Sequence, residues 1–269
     1  MGNDTATTLH REPELSPMKT VRMFGIAMAS VTLSEAIEWL SIMAKKKETR
    51  VIFTANAEAI VLMDSNMEFR RSYFDADYLL ADGMPLVWFS RIIGNQLPER
   101  VTGSDLLPEL CRIAEKKLLK VFFLGGTPDV TPKAVENLLK RFPSLHVSGI
   151  ATPWIDLSDD EESQSDLLES INRSGADILF VGFGAPKQEI WIARKRNQLK
   201  VGIVLTVGGT FDFLAGKTVR APLWMQRNGL EWLWRLLHEP KRLWRRYLIG
   251  NLQFLQIAWM EWKNRVPPI

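Results

Sequence analysis

The chain has 269 residues, 46% of them hydrophobic and 24% charged. That is enough apolar material for one large α/β domain with an appendage, and the balance excludes a wholly disordered chain. The single cysteine, Cys111, excludes an intramolecular disulfide and is expected as a buried thiol in a helix. The net charge of +3 is unevenly spread: Lys217–Ile269 holds ten Lys and Arg against three Glu, and six of the ten Trp. A basic, Trp-rich tail on a mildly acidic body points to an anionic partner, either a membrane surface or nucleic acid.

In chain order, residues 1–18 are polar, lack the apolar centre of a secretory signal, and are expected to form a flexible N-terminal arm. Strand-like runs follow at Arg22–Ala27, Val51–Thr54, Tyr78–Ala81, Lys120–Leu124, His146–Ile150, Ile178–Gly182 and Gly202–Val207. Helical patterns alternate with them at Leu33–Lys46, Ala57–Asn66, Pro85–Ile93, Ser104–Lys117, Val130–Phe142, Ser158–Ser174 and Lys187–Gln198. Such alternation predicts an α/β core over 19–216, a mostly parallel sheet with helices on both faces. After Gly216 it stops. Leu223–Gln226, Gly229–Leu237 and Lys241–Trp262 then read as a helical C-terminal appendage over 217–269. Its longest uncharged stretch, Tyr247–Met260, is too short to span a bilayer.

Ligands of parallel sheets collect at the carboxyl ends of the strands, so residues there carry the functional signal. Gly125-Gly126 and Gly182 with Gly184 each follow a strand and open a helix, and Gly208-Gly209 stands at a further strand end. Each reads as a phosphate cradle or as a tight turn. Asp82 directly follows the strand Tyr78–Ala81 and reads as a general base or as a helix N-cap. Thr54 and Asn56 have side chains suited to orienting a sugar or diphosphate, although Asn56 equally suits a cap. Arg100 suits a phosphate, or a simple pair with Glu99.

No His or Cys cluster has metal-ligand spacing, and Asp75-Ala76-Asp77 precedes its strand, at the wrong end of the sheet for chemistry. Asp159-Asp160 is expected to open a solvated acidic helix. In the tail, Arg235, Lys241, Arg242, Arg245 and Arg246 interleave with Trp232, Trp234, Trp244 and Tyr247. This mixture favours the headgroup zone of an anionic membrane or a pyrophosphate lying there, the alternative being a basic solvated face over a Trp/Leu core. No nucleic-acid-binding pattern is present.

Six collinear segments, Thr54–Glu58, Leu80–Pro85, Glu99–Asp105, Phe123–Gly126, Val181–Glu189 and Val207–Asp212, together resemble the WecG/TagA/CpsF glycosyltransferases. The resemblance runs from about Met23 to Leu255. It implies a Rossmann-like, inverting, metal-independent enzyme. Such an enzyme moves N-acetylmannosamine, its uronic acid or glucose from a UDP-sugar donor to a polyprenyl-diphosphate-linked acceptor, with no other cofactor. It further implies peripheral attachment to the cytoplasmic face of the plasma membrane, a role in cell-surface polysaccharide synthesis, and leaves a homo-oligomer open. By the same resemblance Asp82 is the base, with Thr54 and Asn56 beside it. Arg100, Thr102, Gly103, Asp105, Gln188 and the six glycines bind substrate, while Arg235, Arg242 and Arg245 come from the appendage. Two other readings remain: a membrane-binding module with a non-catalytic nucleotide pocket, and another nucleotide-sugar enzyme such as an epimerase. The second requires a dinucleotide fingerprint that is incomplete here.

Overall fold

The computed structural model describes residues 18–46, 48–158 and 164–265. The expected arm, Met18 apart, and the Asp159-Asp160 pair lie outside them.

Six strands form one parallel sheet: β3 (Arg50–Ala55), β4 (Tyr78–Ala81), β5 (Lys120–Gly125), β6 (His146–Ala151), β7 (Ile178–Gly182) and β8 (Ile203–Thr206), in the order β4-β3-β8-β7-β5-β6. The apolar runs of β3, β5, β7 and β8 follow from burial on both faces, whereas the edge strand β6 carries polar residues and is partly exposed. In β3, Val51 and Phe53 enter one core while Ile52 enters the other. Helices α1 (Leu33–Ala44), α5 (Gly103–Lys117), α6 (Val130–Arg141) and α9 (Thr210–Leu214) cover the Ile52 face. Helices α2 (Ala57–Ser65), α3 (Met67–Asp75), α7 (Ser165–Ser174) and α8 (Lys187–Lys195) cover the other, where α4 (Met84–Ile92) also contributes Leu86 and Phe89. This order sets the carboxyl ends of β4, β3, β8 and β7 side by side. Cys111 is fully buried in α5, and burial pushes its thiol up.

The helix expected from Ser158 is described only over Ser165–Ser174, Ser158 itself lying in a turn, and three further elements differ from expectation. The run Arg22–Ala27 is not a strand of the main sheet. It spans the turn of a separate antiparallel hairpin, β1 (Thr20–Met23) and β2 (Ile26–Ala29). Phe24 and Gly25 both take left-handed backbone angles, φ 56° and 76°, as a two-residue hairpin turn requires. Phe24 meets Phe89 at 4.6 Å and Phe254 at 5.7 Å, contacts that no local pattern foretells. Next, Asn66 starts a helix as well as ending one: its side chain accepts from Phe69 N at 2.9 Å and opens the unexpected α3. Finally, the helix expected at Lys241–Trp262 is interrupted. It runs as α12 (Pro240–Trp244), a π-helical turn (Arg245–Ile249) and α13 (Gly250–Arg265).

The appendage begins with α10 (Leu223–Arg227) and α11 (Glu231–His238). Its last helix is anchored to the core. Phe254 and Ala258 are buried in the face shared with α2, Glu261 accepts from Phe24 N at 3.1 Å, and Arg265 donates to Arg22 O at 2.7 Å.

Candidate active site

One cavity of about 660 Å³ lies between the strand ends and the appendage. Thr54, Asn56, Asp82, Arg100, Thr102, Gly182, Gly184, Gln188, Gly208 and Gly209 all line it.

Asp82 occupies the wall below the appendage. Its backbone N–H continues the sheet ladder by donating to Ala55 O at 2.6 Å. The chain then turns through Gly83, whose φ of 125° is a glycine conformation and which takes the N-cap position of α4 without any side-chain bond. Asp82 is therefore not the cap, and its carboxyl stays uncommitted among the described residues. Burial pushes that carboxyl up to about 7, reinforced by the negative charge of Glu231 and opposed by Arg100. Although protein surrounds it closely, Asp82 keeps partial exposure toward the cavity, so a bound hydroxyl has access to it.

Asn56 does cap α2, accepting from Ala59 N at 3.0 Å, while also lining the cavity. Thr54 is tied to β8, its N–H donating to Thr206 Oγ1 at 3.1 Å. Arg100 does not pair with Glu99, which instead accepts from Leu33 N. It donates to Glu231 at 3.2 Å and to Gln226 at 3.0 Å, both from the appendage. Asp105 lies behind it at 3.6 Å and pairs with Arg220 at 2.7 Å. These partners lower the Asp105 carboxyl despite its burial.

A second polar patch lies at the start of α8. Gln188 accepts from Gly184 N at 3.3 Å and donates to Glu189 Oε1 at 2.8 Å. Burial pushes Glu189 up to about 7. Burial, then the Glu189 charge, also holds the nearby Tyr73 hydroxyl well above its usual range. Both residues line the cavity.

The roof is basic. Arg235, Arg242 and Arg246 line the cavity with Trp232 and Tyr247. Arg242 is paired with Glu239, and Arg246 with Glu58 at 2.5 Å. Arg235 makes no ion pair among the described residues. It lies over the Phe213 ring at 5.5 Å, with a terminal nitrogen 3.8 Å from where a Cβ on Gly209 would stand.

Several expected residues fall off the lining. Arg245 turns outward over the Trp244 ring at 5.2 Å, and Arg246, one residue on, faces inward. The inward stripe Arg242, Arg246, Gly250, Phe254 and Ala258 advances by fours through the π-helical turn, a register that spacing could not reveal. Gly103 and Asp105 sit behind the wall: a Cβ on Gly103 would stand 3.0 Å from Val207 Cα. Gly125 and Gly126 are packing glycines and do not line the cavity. A Cβ on Gly125 would meet Gly182 at 2.7 Å, and one on Gly126 would meet Thr131 Oγ1 at 2.2 Å. Gly126→Ala is therefore expected to destabilise the fold by about 1–3 kcal/mol through overpacking. Thermal melting checks the loss, and the donor KM of the folded fraction stays unchanged.

Asp77 lies at the amino edge of β4, paired with Arg50 at 3.1 Å and Arg196 at 2.8 Å, remote from the cavity. Among the described residues no three His, Cys, Asp or Glu side chains form a metal-ligand group. Sequence alone does not single out Arg220, Gln226 and Glu231, and it offers Arg246 only as one of the basic residues of the tail. Nothing local marks the first three, whose meaning depends on where the appendage docks. Glu189 stood inside the quoted Val181–Glu189 segment and was the one legible signal.

A parallel sheet with a buried carboxyl at its strand ends, beneath a roof of arginines, is the framework of an α/β enzyme with a basic cavity. A model of the Glycosyl transferase WecG/TagA/CpsF family matches residues 21–267, and the chain belongs to that family and is a glycosyltransferase. Curated relatives agree. The chain is 33% identical over 197 residues to the N-acetylglucosaminyldiphosphoundecaprenol N-acetyl-beta-D-mannosaminyltransferase of Bacillus spizizenii, covering 73% of this chain and 74% of that one. It is 30% identical to the enzyme of the same name from Bacillus subtilis, covering 86% and 88%. The Staphylococcus aureus enzyme is also 30% identical, covering 91% and 92%.

Proposed function

We propose that this enzyme transfers an N-acetylmannosamine-type sugar from its UDP derivative to an N-acetylglucosamine carried on polyprenyl diphosphate, with inversion and without a metal, at the cytoplasmic face of the membrane. The observation that carries this reading is the placement of Asp82 and Arg235 in one cavity. In the proposed step Asp82 takes the proton of the acceptor hydroxyl while the oxygen attacks the anomeric carbon from the face opposite the diphosphate. The anomeric carbon–oxygen bond to the diphosphate breaks, and UDP departs with the electron pair. Guanidinium groups of the roof meet the charge developing on it. The names of the relatives supply the sugars and the acceptor. Incubation with UDP-N-acetylmannosamine and a short-chain lipid acceptor, with and without chelator, tests the reading. A product of inverted anomeric configuration is expected in both arms. A retained configuration, or transfer lost on chelation, overturns the corresponding part.

Access for a lipid-linked acceptor is supported by the mouth of the cavity, where Trp88, Ile92 and Leu255 are both lining and exposed. Beyond it Trp244, Leu248, Leu252 and Trp259 are exposed on the appendage at helical spacing, beside its basic residues. Among the described residues no helix is long and apolar enough to cross a membrane. The double change Leu248→Glu with Leu252→Glu is expected to weaken binding to phosphatidylglycerol vesicles on the order of 10²-fold or more. Vesicle co-sedimentation measures it, and unchanged sedimentation would remove the appendage as the docking face.

A further inference from the structure

Two residues that line the cavity each carry a buried polar atom with no partner among the described residues: the Tyr73 hydroxyl and Glu189 Oε2. Both residues are only 2% exposed. The rest of the Glu189 carboxyl is fixed, since Oε1 accepts from Gln188 Nε2 at 2.8 Å while Gln188 Oε1 accepts from Gly184 N at 3.3 Å. Tyr73 is held by its ring, which lies 5.3 Å from that of Phe53 and 5.0 Å from that of Phe69. A fold that shuts a hydroxyl and a carboxylate oxygen away from bulk water without pairing them is destabilised, unless a ligand completes the pairs. We propose that Tyr73 and Glu189 form the subsite for the transferred sugar, Glu189 Oε2 accepting from one pyranose hydroxyl and the Tyr73 hydroxyl donating to a neighbouring oxygen of the same sugar. This rests on the reading of the donor as a UDP-sugar.

Charge and depth both favour the sugar of the donor here. Tyr73 comes from α3 and Glu189 from the first turn of α8. After burial, the Glu189 charge has the largest effect on the Tyr73 hydroxyl, followed by Asp82 and Glu58. A ring held between Tyr73 and Glu189 therefore stands near the base. Carboxyls around one phenol welcome a hydroxyl donor and repel a diphosphate. Arg246, the cation at this end, is already paired with Glu58 at 2.5 Å, whereas Arg235 stands at the turn after β8, beside Gly209. The mouth of the cavity is at Trp88, Ile92 and Leu255, which are 43, 64 and 61% exposed. A lipid-linked acceptor enters there, which leaves the enclosed wall to the donor. Buried polar groups of this kind also select. A donor lacking the matching hydroxyl leaves them unpaired, and a site built that way rejects it.

The test measures the dissociation constants of the full-length protein for UDP and for UDP-N-acetylmannosamine by calorimetry. Glu189→Gln keeps an oxygen for Gln188 and sets an amide nitrogen where the free oxygen stood, and Tyr73→Phe removes only the hydroxyl. Glu189→Gln should weaken UDP-N-acetylmannosamine about tenfold or more, as loss of a hydrogen bond to a charged group does. Tyr73→Phe should weaken it about 3–10-fold, and UDP itself should stay within about twofold in both variants. The acceptor KM should not move. Without ligand, Tyr73→Phe should melt at or above the wild-type temperature, because an unpartnered buried hydroxyl has been removed. Equal weakening of the two ligands, or wild-type donor affinity in either variant, overturns the proposal. So does a loss confined to the acceptor KM, which would give the subsite to the acceptor sugar. A lower melting temperature for Tyr73→Phe overturns it as well, by showing that the hydroxyl is bonded within the fold. Binding is read without turnover, so the two readings fail separately. Sugar-selective losses in a protein that transfers nothing would defeat the proposed function, whereas transfer with wild-type donor affinity in the variants would defeat this inference alone.

Discussion

Asp82→Asn is expected to lower turnover by about 10²–10⁴-fold, the usual contribution of a positioned general base, while donor affinity stays within a few fold. The split follows from geometry. Asparagine keeps the shape of the wall and cannot accept the hydroxyl proton, whereas the proposed mechanism has the diphosphate held elsewhere, by the roof. In the proposed mechanism the active form is the ionised one, and burial pushes its midpoint up to about 7. The value of kcat/KM should therefore rise about tenfold per pH unit below 7 and level off above it. The residual rate of Asp82→Asn should lack that limb, and stopped assays across pH 5–9 measure both.

The same shift has a consequence for stability. The folded carboxyl titrates above its unfolded value of about 3.8, so the fold favours the protonated form. The stability that this form contributes is fully present below the unfolded value and is lost as pH rises through about 7. Asp82→Asn should melt higher than the wild type at pH 8, and the difference should shrink toward pH 4. A variant that is both slower and more stable is the expected pairing for a base held in a costly environment.

The second large effect is expected at Arg235. Arg242 and Arg246 are paired with Glu239 and Glu58, whereas Arg235 has no ion pair among the described residues and stands beside Gly209 in the turn after β8. Burial raises the Glu58 carboxyl, and Arg246 and Arg235 draw it back, so both arginines act on the same wall of the cavity. Arg235→Ala should lower kcat by about 10²–10³-fold, as loss of a group that meets developing charge commonly does. Arg235→Lys should recover part of the loss, because the charge returns without the planar fork. Arg245→Ala, assayed with a short-chain acceptor dispersed without a bilayer, should retain wild-type turnover, since that side chain lies over Trp244 away from the cavity. Equal losses for Arg235→Ala and Arg245→Ala would contradict the inward and outward assignment.

Much of the core was legible because its signals are local. A strand buried on two faces must be apolar without interruption, as Val51–Phe53 and Ile178–Val181 are, and a parallel sheet places its functional residues after those runs. That rule singles out Asp82, Thr54 and Asn56, and all three line the cavity. Gly125 and Gly126 obeyed the same rule and misled, because glycine serves a close approach of two chains as readily as a phosphate. Apolar Met23-Phe24-Gly25-Ile26 likewise reads as one strand until Phe24 has partners on α4 and α13 that reward the left-handed turn.

The sequence by itself determined the alternation of strands and helices, the strand-end position of Asp82, and the basic character of the tail. These depend on periodicity and on composition, which act over a few residues. Only the tertiary structure decided that Arg246 and not Arg245 faces the cavity, that Arg100 is claimed by Glu231 and Gln226, and that the Asp82 carboxyl is raised by an acid more than a hundred residues away. The physical reason is the range of the interactions. Desolvation and charge act through space, so the properties of a carboxyl are set by whatever the fold brings to it.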